Sequence, residues 1–102
     1  MNSKVYSIDE IKEILKRTIK DPNVKSIVLF GSYAKNRATP NSDIDIVVDT
    51  EGVLRGFAFI ALIDFIRNAM EKEVDGFERY EIIENSKIDE EIKRTGVVVY
   101  ER

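Results

Sequence analysis

Two short groups of residues in this sequence have types and a spacing that could do chemistry. They are Gly31-Ser32 and, ten residues later, Asp43-Ile44-Asp45. Glycine at the end of an apolar run lets the backbone turn sharply and lets a ligand come close. If Ser32 opens a helical turn, its backbone N–H groups form an anion seat. In an extended strand Asp43 and Asp45 share one face, with Cα atoms roughly 6.6 Å apart. Two carboxylates so placed repel each other, and a cation is their natural complement. A phosphate seat beside metal-holding acids supplies the parts for phosphoryl or nucleotidyl transfer. Either group alone is ordinarily structural, a capped turn or a solvated strand edge. Their combination after an apolar strand argues for chemistry.

The composition agrees by exclusion. The 102 residues include no Cys, His or Trp. No disulfide framework, thiolate nucleophile or imidazole base is available. Catalysis has to run on carboxylates, hydroxyls, Lys or Arg, backbone N–H groups or a bound hard cation. With 16 Lys+Arg against 19 Asp+Glu the net charge is −3, which gives no broad basic face for a direct nucleic-acid ligand. Hydrophobic residues at 43% and charged ones at 34% indicate a globular chain, expected as one domain over residues 1–102. The N-terminus lacks an apolar leader, and the run Phe57 to Ile63 is too short to cross a bilayer, so a cytoplasmic protein without membrane association is expected.

Several elements must position those residues. Ser7-Ile8-Asp9-Glu10 reads as a capping box, followed by apolar residues at helical spacing and a stop at Asp21-Pro22-Asn23. Val24 to Phe30 reads as a strand ending at Gly31. Ser32 to Asn36 reads as a helical turn capped by Ser32. Asp43 to Asp49 alternates acid and aliphatic and reads as a second strand, with Ile44, Ile46 and Val48 toward the core. Roughly Leu54 to Lys72 reads as a long helix, Glu73 to Phe77 as a third strand, Ser86 to Arg94 as a short helix and Gly96 to Tyr100 as a final strand. The expected class is α/β (α+β), a small mixed sheet of about four strands covered by helices. In the long helix, Ala58, Phe59, Leu62, Ile63, Phe65, Ile66, Ala69 and Met70 form a broad apolar arc expected to pack on the sheet. Phe57, Ile60 and Ala61 fall on the polar side. Either a partner surface or burial under the first helix or the loop after Asp49 would account for them.

The stretch Phe30 to Asp49 resembles the minimal nucleotidyltransferases of the DNA polymerase β-like superfamily. Gly31-Ser32, ten residues and Asp43-Ile44-Asp45 match the family's G-S-x10-D-x-D signature. Tyr33-Ala34-Lys35 resembles its aromatic-Ala-basic continuation, and Ala38 to Ser42 its lead into the acids. More loosely, Val74-Asp75 and Gly96 to Glu101 resemble its C-terminal part. Members often carry Arg-Gly where this chain has Lys35-Asn36-Arg37, and aliphatics where Gly76-Phe77 follow Asp75. The resemblance implies the nucleotidyltransferase fold and Mg²⁺-dependent transfer of AMP from ATP, with two metal ions. It implies Asp43 and Asp45 as metal ligands and a third acid on the neighbouring strand. Asp75 is the candidate for that acid, catalytic and metal-binding, with Glu73 and Glu78 as rivals. Asp49 lies roughly 13 Å from Asp45 along the strand, too far to share its ion. Gly31 and Ser32 would seat the triphosphate. Lys35 and Arg37 would contact it or lie in a solvated loop.

The resemblance also implies a partner: a small helical HEPN-type toxin, in a hetero-oligomer. The nucleotidyltransferase would adenylylate a tyrosine of the toxin and so act as antitoxin. Two other readings are open. One is a non-catalytic subunit that neutralises its partner by contact, and the other is transfer to a small-molecule acceptor.

Overall fold

Ser7 begins the first helix as its neighbours predict. In the computed structural model, which describes residues 3–102, Ser7 Oγ accepts the Glu10 N–H at 3.0 Å. Glu10 Oε1 accepts the Ser7 N–H at 2.9 Å. This capping box opens α1 (Ile8–Thr18), with acids in its first turn and Lys16 and Arg17 in its last, both favourable to the helix dipole. The chain continues through β1 (Ser26–Phe30), the single turn α2 (Gly31–Ala34), β2 (Ile44–Asp49), α3 (Phe57–Met70) and β3 (Val74–Glu78). A 3₁₀ turn (Arg79–Glu81), α4 (Lys87–Thr95) and β4 (Val97–Glu101) complete it.

The order is the expected one; of the boundaries that differ from the sequence reading, three bear on the site or on α3. Asp43 stands just before β2, not in it. α2 starts at Gly31 after an N-cap Phe30 that makes no side-chain bond, so Ser32 is not the cap. α3 starts at Phe57 because Gly56 holds φ at +56°, a conformation no helix residue takes.

The strands form one mixed sheet in the order β3-β2-β1-β4. β1 runs antiparallel to β2 and β4, and β2 runs parallel to β3. The parallel pair needs a crossover, which α3 provides. Ile27, Leu29, Ile44, Ile46, Val48, Val74 and Val99 line one sheet face and pack with Ile11 and Leu15 of α1 and Ile63, Ile66 and Met70 of α3. Gly76 explains the closeness of α3 to β3. A Cβ there would collide with the Ile63 side chain, so the helix rests on bare backbone. Val28, Phe30, Asp45, Val47, Asp75 and Phe77 stand on the opposite face by alternation. α4 packs against β1.

α3 departs from the expected arc. Phe65 is 50% exposed, and Ala58 is also exposed. Phe57 (90%) and Ile60 (56%) lie open, not under α1 or the loop after Asp49. The apolar arc is wider than the sheet and α1 can cover. An open groove lined by Thr18, Leu54, Ala58, Leu62 and Phe65 remains between the two helices.

α4 is held by a buried acid. Asp89, 1% exposed, accepts the Asn85 N–H at 2.8 Å and pairs with Lys93 at 2.9 Å and Arg79 at 3.2 Å. Its own N–H donates to Ser86 Oγ at 3.2 Å, as the predicted cap requires. The Asn85 amide, then Lys93 and Arg79, hold its carboxyl at about 2. A carboxyl depressed in this way stabilises the fold above its ordinary value, and the stabilisation is lost as pH falls through the depressed one. Asp89→Asn is therefore expected to melt at lower temperature than the parent near neutral pH. The difference should shrink as pH is lowered from about 4 toward 2. Thermal denaturation across that range checks it, and a constant difference would count against the assignment.

Candidate active site

The site is built where β1 ends and β2 and β3 begin. In the registers, Phe30 of β1 is opposite Asp45 of β2, and Asp45 is level with Asp75 of β3. Parallel pairing therefore puts two carboxylates side by side on the face away from α1 and α3. Phe30 and Phe77 pack with ring centroids 5.7 Å apart and wall this face. Asp43, exposed, precedes β2 and is close enough to raise the Asp45 carboxyl. Burial, then the charges of Asp75 and Asp43, push Asp45 up from its ordinary value to about 6. A hydrogen bond with Asp75 and the charge of Glu91 add to the rise.

Gly31 comes up against these acids directly. Its φ is +73°, and a Cβ on it would run into the Asp45 carboxylate. Glycine is thus required for both conformation and space. Among the described residues the Ser32 hydroxyl has no hydrogen-bond partner, while the Ser32 carbonyl accepts the Arg37 N–H at 2.8 Å. The loop that lacks the usual glycine after its basic residue solves the turn with Asn36, at φ +60°. Asn is among the residues that best tolerate the left-handed region. Thr39 and Ser42 then close a turn on themselves, with the Thr39 N–H donating to Ser42 Oγ at 2.8 Å. Buried Lys72 donates to the Pro40 carbonyl at 3.0 Å and so ties the lead-in to Asp43 to the end of α3.

The rivals of Asp75 are engaged or turned away. Glu73 pairs with Arg67 at 2.9 Å, and Arg67 also pairs with Asp64. Glu78, 6% exposed, lies three residues past Asp75 and so on the other face of β3. Asp49 ends β2 and accepts the Glu51 N–H at 2.8 Å. Lys35 and Arg37 are not brought onto the acids alike. Lys35 pairs with Glu91 of α4 at 3.4 Å, and Arg37 is exposed with no ion pair among the described residues. Glu91 also accepts the Gly31 N–H at 3.1 Å. It is the residue at this site that sequence reasoning missed. It sits sixty residues from Gly31, and only the packing of α4 beside β1 brings them together.

The donor set suits a hard cation. Among the described residues no three acidic side chains converge as a closed metal cage. Mg²⁺ does not require one, since it is usually held by one or two carboxylates with substrate phosphates completing its shell. Burial first, then the charges of Asp75 and Asp43, raise the Asp45 carboxyl, and such an ion would relieve both effects.

Comparison with known proteins shows the family. The profile of the family described as "Nucleotidyltransferase domain" matches residues 8–98. The chain belongs to that family. This nucleotidyltransferase is 40% identical over 73 residues to a candidate protein adenylyltransferase, MJ0126 of Methanocaldococcus jannaschii, across 68% of this chain and 74% of that protein. A toxin–antitoxin crystal structure with AMP-PNP superposes with a TM-score of 0.70 at 26% identity, covering 95% of this chain and 75% of that one. A complex of a tri-AMPylated Shewanella oneidensis HEPN toxin with MNT antitoxin shares the fold, with a TM-score of 0.61 at 24% identity over 93% of this chain and 70% of that one.

Two outcomes follow from the geometry. Asp45 is raised in the folded state, so the fold loses stability as pH rises from about 4 to about 6. In metal-free buffer Asp45→Asn is expected to be more stable than the parent above that window, by about 1 kcal/mol after discounting for solvent screening. The two should converge below it, and equal melting temperatures at every pH would contradict the crowding. Gly31→Ala is expected to cost roughly 1–3 kcal/mol from backbone strain and collision. Denaturant titration reads that loss.

Proposed function

We propose that this nucleotidyltransferase moves AMP from ATP onto a tyrosine hydroxyl of a HEPN-type toxin partner and so serves as its antitoxin. The observation that carries the reading is the placement of Asp45 beside Asp75, with Asp43 near and Gly31 against them. Its family supports transfer of a nucleotide. The relative bearing a protein-adenylyltransferase name and the toxin–antitoxin structure with AMP-PNP support ATP and a protein acceptor.

In this reading the chain acts as one catalytic domain in the cytoplasm, where ATP and Mg²⁺ are available. Among the described residues no helix is long and apolar enough to cross a membrane. Asp43, Asp45 and Asp75 would hold Mg²⁺. When bound, the ion offsets the charge of the triphosphate and of the departing pyrophosphate. The Gly31 N–H and the Ser32 hydroxyl seat the phosphates, with Lys35 and Arg37 available from the loop. The acceptor oxygen attacks the α-phosphorus in line. A new O–P bond forms, and the bond to the bridging oxygen breaks, its electron pair leaving on pyrophosphate. Asp75, the acid on the edge strand, takes the hydroxyl proton. The exposed face of α3, with Phe57, Ile60 and Phe65, gives the partner an apolar surface to dock on. That same surface also suits a contact-only antitoxin, so the test must separate the two.

The protein, co-purified with its toxin partner, is incubated with ATP labelled at the α-phosphate and Mg²⁺. Label is expected on the toxin tyrosine, reduced by about a hundredfold or more in Asp43→Ala and Asp45→Ala. Stable binding and full neutralisation by those variants, with no label on the toxin, would establish the contact-only reading instead. Label on a small molecule would point to a different acceptor.

A further inference from the structure

Glu91 has a place in the site that its own helix does not explain. α4 is pinned through Asp89, and from it Glu91 reaches across to the end of β1. Its Oε2 accepts the Gly31 N–H at 3.1 Å and pairs with Lys35 at 3.4 Å. Both partners are groups that the proposed function gives to the triphosphate. On that reading the carboxylate occupies donors that a phosphate oxygen would use. Its side chain is 29% exposed, so it is neither locked in the core nor free in solvent. It also brings a fourth negative charge to Asp43, Asp45 and Asp75, adding to the rise of the Asp45 carboxyl.

Resting on that reading of the site, we propose that Glu91 is a resident competitor for the phosphate seat. A triphosphate and the carboxylate cannot both accept from the Gly31 N–H, and like charges at that distance repel. Nucleotide enters only as Glu91 swings out, and Lys35 is handed from the carboxylate to the phosphates. A ligand with few charges, such as inorganic phosphate or AMP, gains too little to displace it. Glu91 therefore lowers affinity for all phosphates and keeps the seat for a metal-bound polyphosphate.

The test is calorimetric titration of AMP-PNP with Mg²⁺ into the full chain and its variants. Glu91→Gln is expected to bind about tenfold tighter than the parent. Glu90→Gln removes the same charge from an exposed neighbour on α4 and is expected to change nothing. Adding Lys35→Ala to Glu91→Gln should take back part of the gain. Equal or weaker binding by Glu91→Gln, or the same gain in Glu90→Gln, overturns the proposal while leaving the nucleotidyltransferase reading intact. Absence of AMP-PNP binding in every variant overturns that reading and this proposal together. A second measurement needs no substitution: the side-chain carboxyl resonance of Glu91 is followed by NMR as AMP-PNP and Mg²⁺ are added. It should shift as its two partners leave, and a carboxyl that stays unmoved at saturation overturns the proposal.

Discussion

Two carboxylates, Asp45 and Asp75, are held level on adjacent parallel strands where they repel each other. Burial and this crowding raise the Asp45 carboxyl to about 6, a cost to the folded state of about 1 kcal/mol after solvent screening. The fold has to bear this without relaxing it away. The parallel pair does so because neither strand can slip without moving a whole apolar row out of the core. Ile44, Ile46 and Val48 on β2, with Val74 on β3, fix the register from the buried face. The acids on the other face are carried along by alternation. α3, seated on Gly76 through Ile63, clamps the edge strand that bears Asp75.

The supports around the pair serve the same constraint. Gly31 lets the turn after β1 approach Asp45 without a side chain between them. Lys72 and the Thr39–Ser42 turn fix the entry to Asp43. Arg67 holds Glu73 by an ion pair, so the acid just before β3 does not join the cluster. Each device is short-range, a close approach at Gly31 and polar contacts elsewhere. The site is therefore preorganised by the apolar side of the sheet, and its own polar bonds only trim it.

Much of this was legible in the sequence because it rests on local rules. The Ser7 and Ser86 caps, the alternation in Asp43 to Asp49 and the glycine after an apolar strand each follow from a few neighbouring residues. The family signature from Gly31 to Asp45 added the chemistry and the fold. What escaped depends on packing across the chain. The extent of the exposed face on α3 could not be read from its arc, since how much α1 and the sheet cover is a tertiary matter. Ser32 has a type that suits a cap, yet the turn begins earlier, at the left-handed Gly31. Where Glu73, Asp75 and Glu78 stand relative to Asp45 depends on the strand register and the Arg67 pairs. Glu91 had no sequence signal at all.

A chain with no His or Cys has few ways to move a proton or hold a charge near neutral pH. Here burial and the crowding of carboxylates bring one of them, Asp45, up to about 6. The same crowding makes the site hungry for positive charge, and the chain answers unevenly. Lys35 is close but committed to Glu91, and Arg37 lies out in the loop. No cation of the protein itself pairs with Asp45 or Asp75 among the described residues. The charge deficit is thus left for something that arrives with the substrate. On the proposed reading that is the metal-bound triphosphate, whose binding would neutralise the acids and draw Lys35 inward in one event. On that reading the site becomes electrostatically complete only when its substrate is present.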